Sequence, residues 1–273
     1  MEQSLKGKIA IVVGATRGVG EGVAIELGAA GARVFALGRT LKPGQGERGG
    51  SLEETVAKIE ELGGEAIPVV CDATDDAAMG EIIAGIGKDE GRLDVLVNSV
   101  FSATRLGPYI GKRFWETPDL WQQIVDLGAR TAYTASRHAA PLMIETASKH
   151  GVIPLIVNIS GRGAVRYRYN VLYGVGKAAT ERMTRDMALD LKEHGVATVS
   201  IWPNGHAVDP AKPETMRYSG RAVAALSGDP KVMERSGQYY WSAQIGAEFG
   251  FTDENGNTHE VAPLTDSYSL DEA

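Results

Sequence analysis

Cysteine is all but missing. Cys71 stands alone among 273 residues, so no internal disulfide can form and the fold has to rest on a packed core. No block of lysine and arginine is long enough to follow a phosphate backbone, and the net charge is −7, which removes the electrostatic case for binding nucleic acid. Long apolar runs are lacking too. None approaches the roughly 20 residues that span a bilayer, so no membrane association is expected. His138, His206 and His259 are scattered, with no cysteine or carboxylate at ligand spacing, and no metal site is expected. His150 and His194 each precede a glycine at an expected helix end, where they suit the last carbonyls. Met1-Glu2-Gln3-Ser4 carries no basic and apolar leader pattern, and with the lone cysteine this favours a reducing cytoplasm.

What is present suffices for one large core, since 43% of the residues are hydrophobic. A single domain over 1–273 is expected, because α/β sheets of this length fold as one unit. Residues 241–273 read as a C-terminal extension, periodicity fading after Tyr240. Lys8 to Val13 is a β-branched run ending in glycine, and Glu21 to Ala30 follows with helical spacing and Gly31 as its stop. Strand then alternates with helix: Arg33 to Leu37, a helix from Ser51, Ala66 to Val70, a helix over Asp75 to Lys88, and Leu93 to Val97. This predicts an α/β fold, a doubly wound parallel sheet of Rossmann type with helices on both faces. Ser51 and Glu54 stand at capping-box spacing, which makes the glycine-rich stretch before them a loop. Thr117-Pro118 predicts the start of a long helix reaching about Lys149, interrupted by Gly128.

After the first strand the chain reads Gly14-Ala15-Thr16-Arg17-Gly18-Val19-Gly20. Three glycines there allow a sharp turn and close approach of a pyrophosphate to a helix N-terminus. Alone the pattern is weak, but at the head of a βαβ unit it predicts a dinucleotide, with Gly14, Thr16, Arg17, Gly18, Val19 and Gly20 in contact. The second strand ends Gly38-Arg39, where a carboxylate would select NAD by binding the adenosine ribose. Arg39 and Arg17 instead offer two guanidinium groups to a 2′-phosphate, so NADP(H) is the expected cofactor. Asp72 and Ala73, past the third strand, are placed at the adenine. A turn-forming aspartate is a nearly equal reading of Asp72.

Tyr173 and Lys177 stand four apart at the head of a helix, with Ser160 upstream. One helical face then presents a phenol and an ammonium to one ligand. An adjacent ammonium favours phenolate, so Lys177 is expected to bring Tyr173 closer to proton transfer at neutral pH.

Together the glycine pattern, Asn98 after Leu96-Val97, Ser160 and the Tyr173/Lys177 pair resemble the short-chain dehydrogenase/reductase family over nearly the whole chain. More narrowly, Gly91 to Asn98, Phe114 to Pro118, Asn170 to Lys177 and Gly246 to Thr252 are similar to its dehydrogenase/reductase member 1 group. The resemblance implies Tyr173 as general acid, Lys177 as the residue that lowers its pKa and holds the nicotinamide ribose, and Ser160 as a hydrogen-bond donor to the substrate oxygen. It places Asn98 and Pro203 at the cofactor and implies a homodimer or homotetramer. The chain departs from the family's pattern at Val13, at Ser99 to Phe101, at Gly128, where many members carry asparagine, and at Trp202-Pro203-Asn204-Gly205.

A small-molecule substrate, a bulky apolar or aromatic carbonyl compound, is expected from Phe101 and Tyr109, and from Tyr167 and Tyr169 between Ser160 and Tyr173, near the hydride site. Phe114, Trp115 and Trp121 read at least as well as core rings. Arg105, Arg113, Arg166 and Arg168 suit either an anionic substrate group or solvent. Two other uses of the same fold stay open: a catalytically weak NADP-binding sensor, and an isomerase or dehydratase that retains its nucleotide.

Overall fold

The computed structural model describes residues 3–46, 49–101, 107–204 and 213–261. Its centre is a parallel sheet of seven strands in the order β3-β2-β1-β4-β5-β6-β7. The strands are β1 (Ile9–Val13), β2 (Arg33–Gly38), β3 (Glu65–Val70), β4 (Val95–Asn98), β5 (Leu155–Ile159), β6 (Ala197–Trp202) and β7 (Tyr239–Trp241). The helices are α1 (Gly18–Ala29), α2 (Leu52–Glu61), α3 (Asp76–Glu90), α4 (Thr131–His150), α5 (Val171–Leu191), α6 (Met216–Gly228) and α7 (Ser242–Phe249). This is the Rossmann-type doubly wound sheet that the alternation predicts.

Strand geometry explains the two covered faces, because side chains alternate with period two. Ala10, Val12, Val34, Ala36, Val95 and Val97 join one buried cluster with Val23 and Leu27 of α1 and Val223 and Leu226 of α6. Ile9, Ile11, Val13, Phe35 and Leu37 face the other way and pack with Met79 and Ile83 of α3 and Ala135, Ala139 and Met143 of α4. With helices on both sides, the central strands are buried throughout. Pro68 falls in β3, which pairs only with β2 at the sheet edge, where a missing N–H is tolerated.

The predicted cap of α2 is present: Ser51 Oγ accepts from Glu54 N at 3.1 Å and donates to Glu54 Oε2 at 2.7 Å. Gly151 at φ 63° and Gly195 at φ 72° close the helical segments that end in His150 and His194.

Two readings are corrected. The helix expected from Thr117-Pro118 begins later, as a π-helical segment over Gln122–Arg130 that runs into α4. Thr117 Oγ1 donates back to Phe114 O at 2.9 Å, and Asp119 Oδ1 accepts from Trp121 N at 3.0 Å, so both residues close local turns ahead of the helix. Phe114, Trp115 and Trp121 are 64%, 69% and 46% exposed, so the core reading of these rings fails.

The stretch read as an extension starts inside the sheet. Trp241 ends β7, α7 follows, and Phe251 packs edge-on against buried Tyr218 of α6 at 5.1 Å. Arg221 of α6 donates to Thr252 O, and Asp253 accepts from the backbone of Asn255 and Asn257. A three-residue strand is too short to show a period. Among the described residues no helix is long and apolar enough to cross a membrane.

Candidate active site

β1 lies between β2 and β4, so the chain's two halves diverge at the C-terminal ends of β1 and β4, where a crevice opens in sheets of this kind. The glycine turn sits there. Gly14 N and Ala15 N both donate to Leu37 O at 2.9 Å, which pins the turn to β2. Gly14 has φ 91°, and a Cβ on it would lie 2.9 Å from Ser99 O. A Cβ on Gly20 would lie 2.1 Å from Gly14 O. Side chains on these residues would fill the cradle. Arg17, the N-cap of α1, makes no side-chain cap, and the first N–H groups of a helix lack intrahelical partners. Gly18, Val19 and Gly20 therefore offer backbone donors at the positive end of a twelve-residue helix, which fits a pyrophosphate.

Thr16 closes over β2, its methyl 2.6 Å from where a Gly38 Cβ would be. Arg17 Nη1 donates to Gly49 O at 3.0 Å, and Arg39 Nη1 lies 3.8 Å from Asp72 Oδ2. Asp72 Oδ1 accepts from Thr74 N at 3.0 Å and Thr74 Oγ1 at 2.8 Å, the turn-forming use considered for it. Burial alone would raise this carboxyl, but the Thr74 hydrogen bonds, and then Arg39, hold it below its ordinary value. Ala73 is buried beside it.

Asn170 caps α5, its Oδ1 accepting from Tyr173 N at 2.9 Å, and so fixes the turn that carries Tyr173 and Lys177. The Tyr173 ring meets Phe101 edge-on at 5.7 Å and Tyr169 at 4.9 Å. Gly163 leaves room for it, since a Cβ there would lie 2.2 Å from Tyr173 Cε1. Lys177 Nζ donates to Ile159 O at 3.1 Å and lies 5.1 Å from the centre of the Phe101 ring and 5.9 Å from that of Tyr173. Four residues further along α5, buried Glu181 accepts from Ser200 Oγ at 2.6 Å and Trp202 Nε1 at 2.7 Å.

Ser160 Oγ is buried without a hydrogen-bond partner. Asn98 Nδ2 donates to Ser136 Oγ at 3.0 Å and to Asn158 Oδ1 at 2.9 Å, while its own Oδ1 is buried and unpartnered. An unmet buried polar atom costs about 1–3 kcal/mol. Two of them at one crevice are what a ligand with polar groups would satisfy. Asn98, Phe101, Tyr173 and Lys177 line a cleft together with Val100, Ile124, Gly128 and Thr180, about 390 Å³ of space continuous with solvent.

The expected direction of the Tyr173 shift is reversed. Burial, and then Tyr169, push the phenol up to about 12 against the opposing pull of Arg168 and Arg162. Lys177 is drawn down to about 8 by burial, with Glu181 resisting. Its ammonium lies over ring faces and is engaged by the Ile159 carbonyl, so in this state it does little for the phenol oxygen.

These shifts set a pH dependence. Between about 8 and the ordinary 10.5 the unfolded chain holds a proton on Lys177 that the folded chain has released, so stability rises with pH in that window. The phenol acts oppositely: its contribution is full below its ordinary 10.0 and is lost as pH rises through about 12. Urea midpoints measured against pH should therefore climb above 8 in the unmodified protein relative to Lys177→Met. Parallel curves would contradict the placement of Lys177.

The substrate residues divide. Phe101 lines the cleft, and Tyr109 packs with Leu120, Ile124, Tyr169, Leu172 and Tyr173 behind it. Tyr167 joins neither group. Of the two tyrosines, the ring that reaches Tyr173 is Tyr169, in the left-handed region at φ 64°. Pro203 is half-buried just past β6 and is not part of the cleft lining. Arg105 and Gly205 lie outside the described residues. Ile124 and Ala132 were missed as cleft residues: Ile124 lies in the π-helical segment, which has no readable signature, and Ala132 in the first turn of α4 that follows it. Asn158, Ser136 and Thr184 were also missed. They build the hydrogen-bonded chain behind Asn98, in which Asn158 Nδ2 donates to Thr184 Oγ1 at 2.9 Å.

Residues 8–217 match the family profile described as short chain dehydrogenase. Human dehydrogenase/reductase SDR family member 1 is 33% identical over 296 aligned positions, covering 99% of this chain and 89% of the relative. A metagenomic short-chain oxidoreductase solved in complex with NADP is 27% identical, with a TM-score of 0.68 over 83% of this chain and 92% of its own. An NADH-dependent reductase, A1-R′, solved with NAD, shares the fold at 18% identity, with a TM-score of 0.74 over 89% of this chain and 97% of its own.

Proposed function

Because this chain belongs to the short-chain dehydrogenase/reductase family of oxidoreductases, which use nicotinamide cofactors, we propose that it is an NADP(H)-dependent enzyme. It interconverts a bulky, apolar or aromatic carbonyl compound and its alcohol, with Tyr173 as proton donor. The observation that carries this reading is the meeting of Tyr173 and Lys177 with the unpartnered Asn98 Oδ1 and the neighbouring unpartnered Ser160 Oγ, at the strand ends beside an open glycine cradle.

Gly14, Gly18, Val19 and Gly20 would hold the pyrophosphate, and Asn98 and Lys177 the nicotinamide ribose. When bound, the nicotinamide supplies the hydride. In reduction, the Tyr173 O–H donates to the substrate oxygen as negative charge develops there, and Ser160 Oγ donates a second hydrogen bond to it. A phenol held fully protonated at neutral pH suits the donor role. Lys177, whose ammonium donates to Ile159 O, would hold the ribose and, as a cation one turn from Tyr173, favour release of the phenol proton. Val100, Phe101, Ile124 and Ala132 supply the apolar walls that exclude water from this transfer.

Arg17 and Arg39, with no carboxylate at Gly38, support NADP. The relative solved with NADP is consistent with this. A hydrogen bond to a charged group contributes about 1.5–3 kcal/mol. Arg39→Ser should then raise the KM for NADPH roughly 10- to 100-fold and leave that for NADH within about threefold. Equal effects on both cofactors would remove Arg39 from this role.

The direct test follows the loss of NADPH absorbance with small, aromatic and steroid-sized ketones, with NADH in parallel. Turnover that requires NADPH is expected from the larger ketones. Silence with every ketone while NADPH still binds would overturn the reductase assignment. We place the enzyme in the cytoplasm as a homodimer or homotetramer, which sedimentation of the purified protein checks.

A further inference from the structure

Three arginines gather beside Tyr173, in the segment between β5 and α5. Arg162 stands between two glycines that border the phenol: a Cβ on Gly161 would lie 3.3 Å from Tyr173 Oη, and one on Gly163 would run into the ring. The Arg162 carbonyl accepts from Arg166 N at 3.0 Å, so the two residues sit one turn apart. Arg168 lies 4.8 Å over the Tyr169 ring, which in turn meets the Tyr173 ring at 4.9 Å. Tyr169 holds this arrangement from a left-handed backbone at φ 64°, a conformation unfavourable for a residue with a Cβ. Partly buried Arg162 is lowered by burial and then by Arg168 and Arg166, opposed only by Tyr169 and Tyr173. Arg166 has a partner of its own. Arg162 and Arg168 have no ion pair among the described residues.

Like charges brought together repel, and in a chain of net charge −7 carboxylates to neutralise them are plentiful. The cofactor's 2′-phosphate does not account for them. Arg39 follows β2 and Arg162 follows β5, and the two strands are separated by β1 and β4, which puts them about 14 Å apart at the usual strand spacing.

We propose that Arg162 and Arg168 form an anchoring site for an oxyanion group, carboxylate or phosphate, carried by the carbonyl substrate at the mouth of the Tyr173 cleft. Guanidinium groups match such oxyanions with paired N–H donors. The apolar walls then take the body of the substrate, and the anion fixes which end faces Tyr173. This rests on the carbonyl-reductase reading of the same cleft.

The test is calorimetric binding to the NADP-saturated protein of aryl keto acids of increasing chain length, their methyl esters, and the matching aryl keto phosphonates. At least one chain length of acid or phosphonate should bind tenfold or more tightly than its ester. The acid series and the phosphonate series distinguish which oxyanion is preferred. The ratio of anion to ester affinity should fall toward one in Arg162→Gln/Arg168→Gln, and in the unmodified protein it should fall as salt is raised. Arg168→Gln alone, at the half-buried Tyr169 ring, gives a partial fall if the double variant does not fold. Esters that bind as well as the anions at every chain length, or a preference that survives both salt and substitution, would overturn the proposal. If neither the neutral ketones nor the preferred keto acid or phosphonate is reduced while the anion preference persists, the reductase reading fails and the anchoring site stands.

Discussion

Tyr173→Phe should lower kcat by about 10²- to 10⁴-fold, the usual contribution of a positioned general acid, with cofactor affinity kept within about threefold. The substitution removes one oxygen and leaves the ring. Its edge contacts with Phe101 and Tyr169 and its seat over Gly163 all remain. The phenol is buried with no hydrogen bond among the causes of its raised pKa, so the thermal midpoint should hold or rise slightly. Activity within threefold of the unmodified enzyme would mean that another group delivers the proton. Lost cofactor binding would instead give Tyr173 a structural role.

The second large effect belongs to Gly20→Val. A Cβ at this site would stand 2.1 Å from Gly14 O, well inside contact distance, and both are backbone positions with nowhere to move cheaply. Relief requires α1 to retreat from the turn, which misdirects the N–H groups of Gly18 and Val19. Overpacking of this kind costs roughly 1–3 kcal/mol. For a chain of this length that corresponds to a fall in melting temperature of roughly 2–10 °C. NADP(H) affinity should fall at least 100-fold, because the anion site is lost along with the packing. Fluorescence titration of NADPH beside a thermal melt checks both. Retained affinity in a folded Gly20→Val protein would show that the nucleotide does not approach this turn.

The parts of the fold and site that could be read in the sequence share one property: their signals are local. The β-branched run of β1, the Ser51 cap, the glycine turn and the four-residue step from Tyr173 to Lys177 each depend on neighbours within a turn or a strand. What could not be read depends on partners far along the chain. Asn98 is set by Ser136 and Asn158, and Asn158 by Thr184, contacts that only the folded sheet creates. The expected Tyr173 shift failed because burial, and then Tyr169, raise the phenol, while the lysine one turn away is engaged by the distant Ile159 carbonyl.

Local signals also compete. Thr117-Pro118 reads as a helix start, but Asp119 closes a turn onto Trp121 N and the segment then winds as a π-helix. Phe114 and Trp115 read as core by composition, yet the short turn that carries them lies at the surface. Which of Tyr167 and Tyr169 meets Tyr173 turns on a left-handed residue that no tyrosine in a sequence announces.

The central claim is direct hydride transfer to a carbonyl at the Tyr173 cleft. Reduced NADP deuterated at the transferable C4 position, incubated with the protein and an aromatic ketone, tests it by mass spectrometry of the product. One deuterium on the carbinol carbon, with one alcohol formed per NADPH consumed, is the predicted result. Product without deuterium while the nucleotide stays reduced, or bound nucleotide with no product at all, would contradict it.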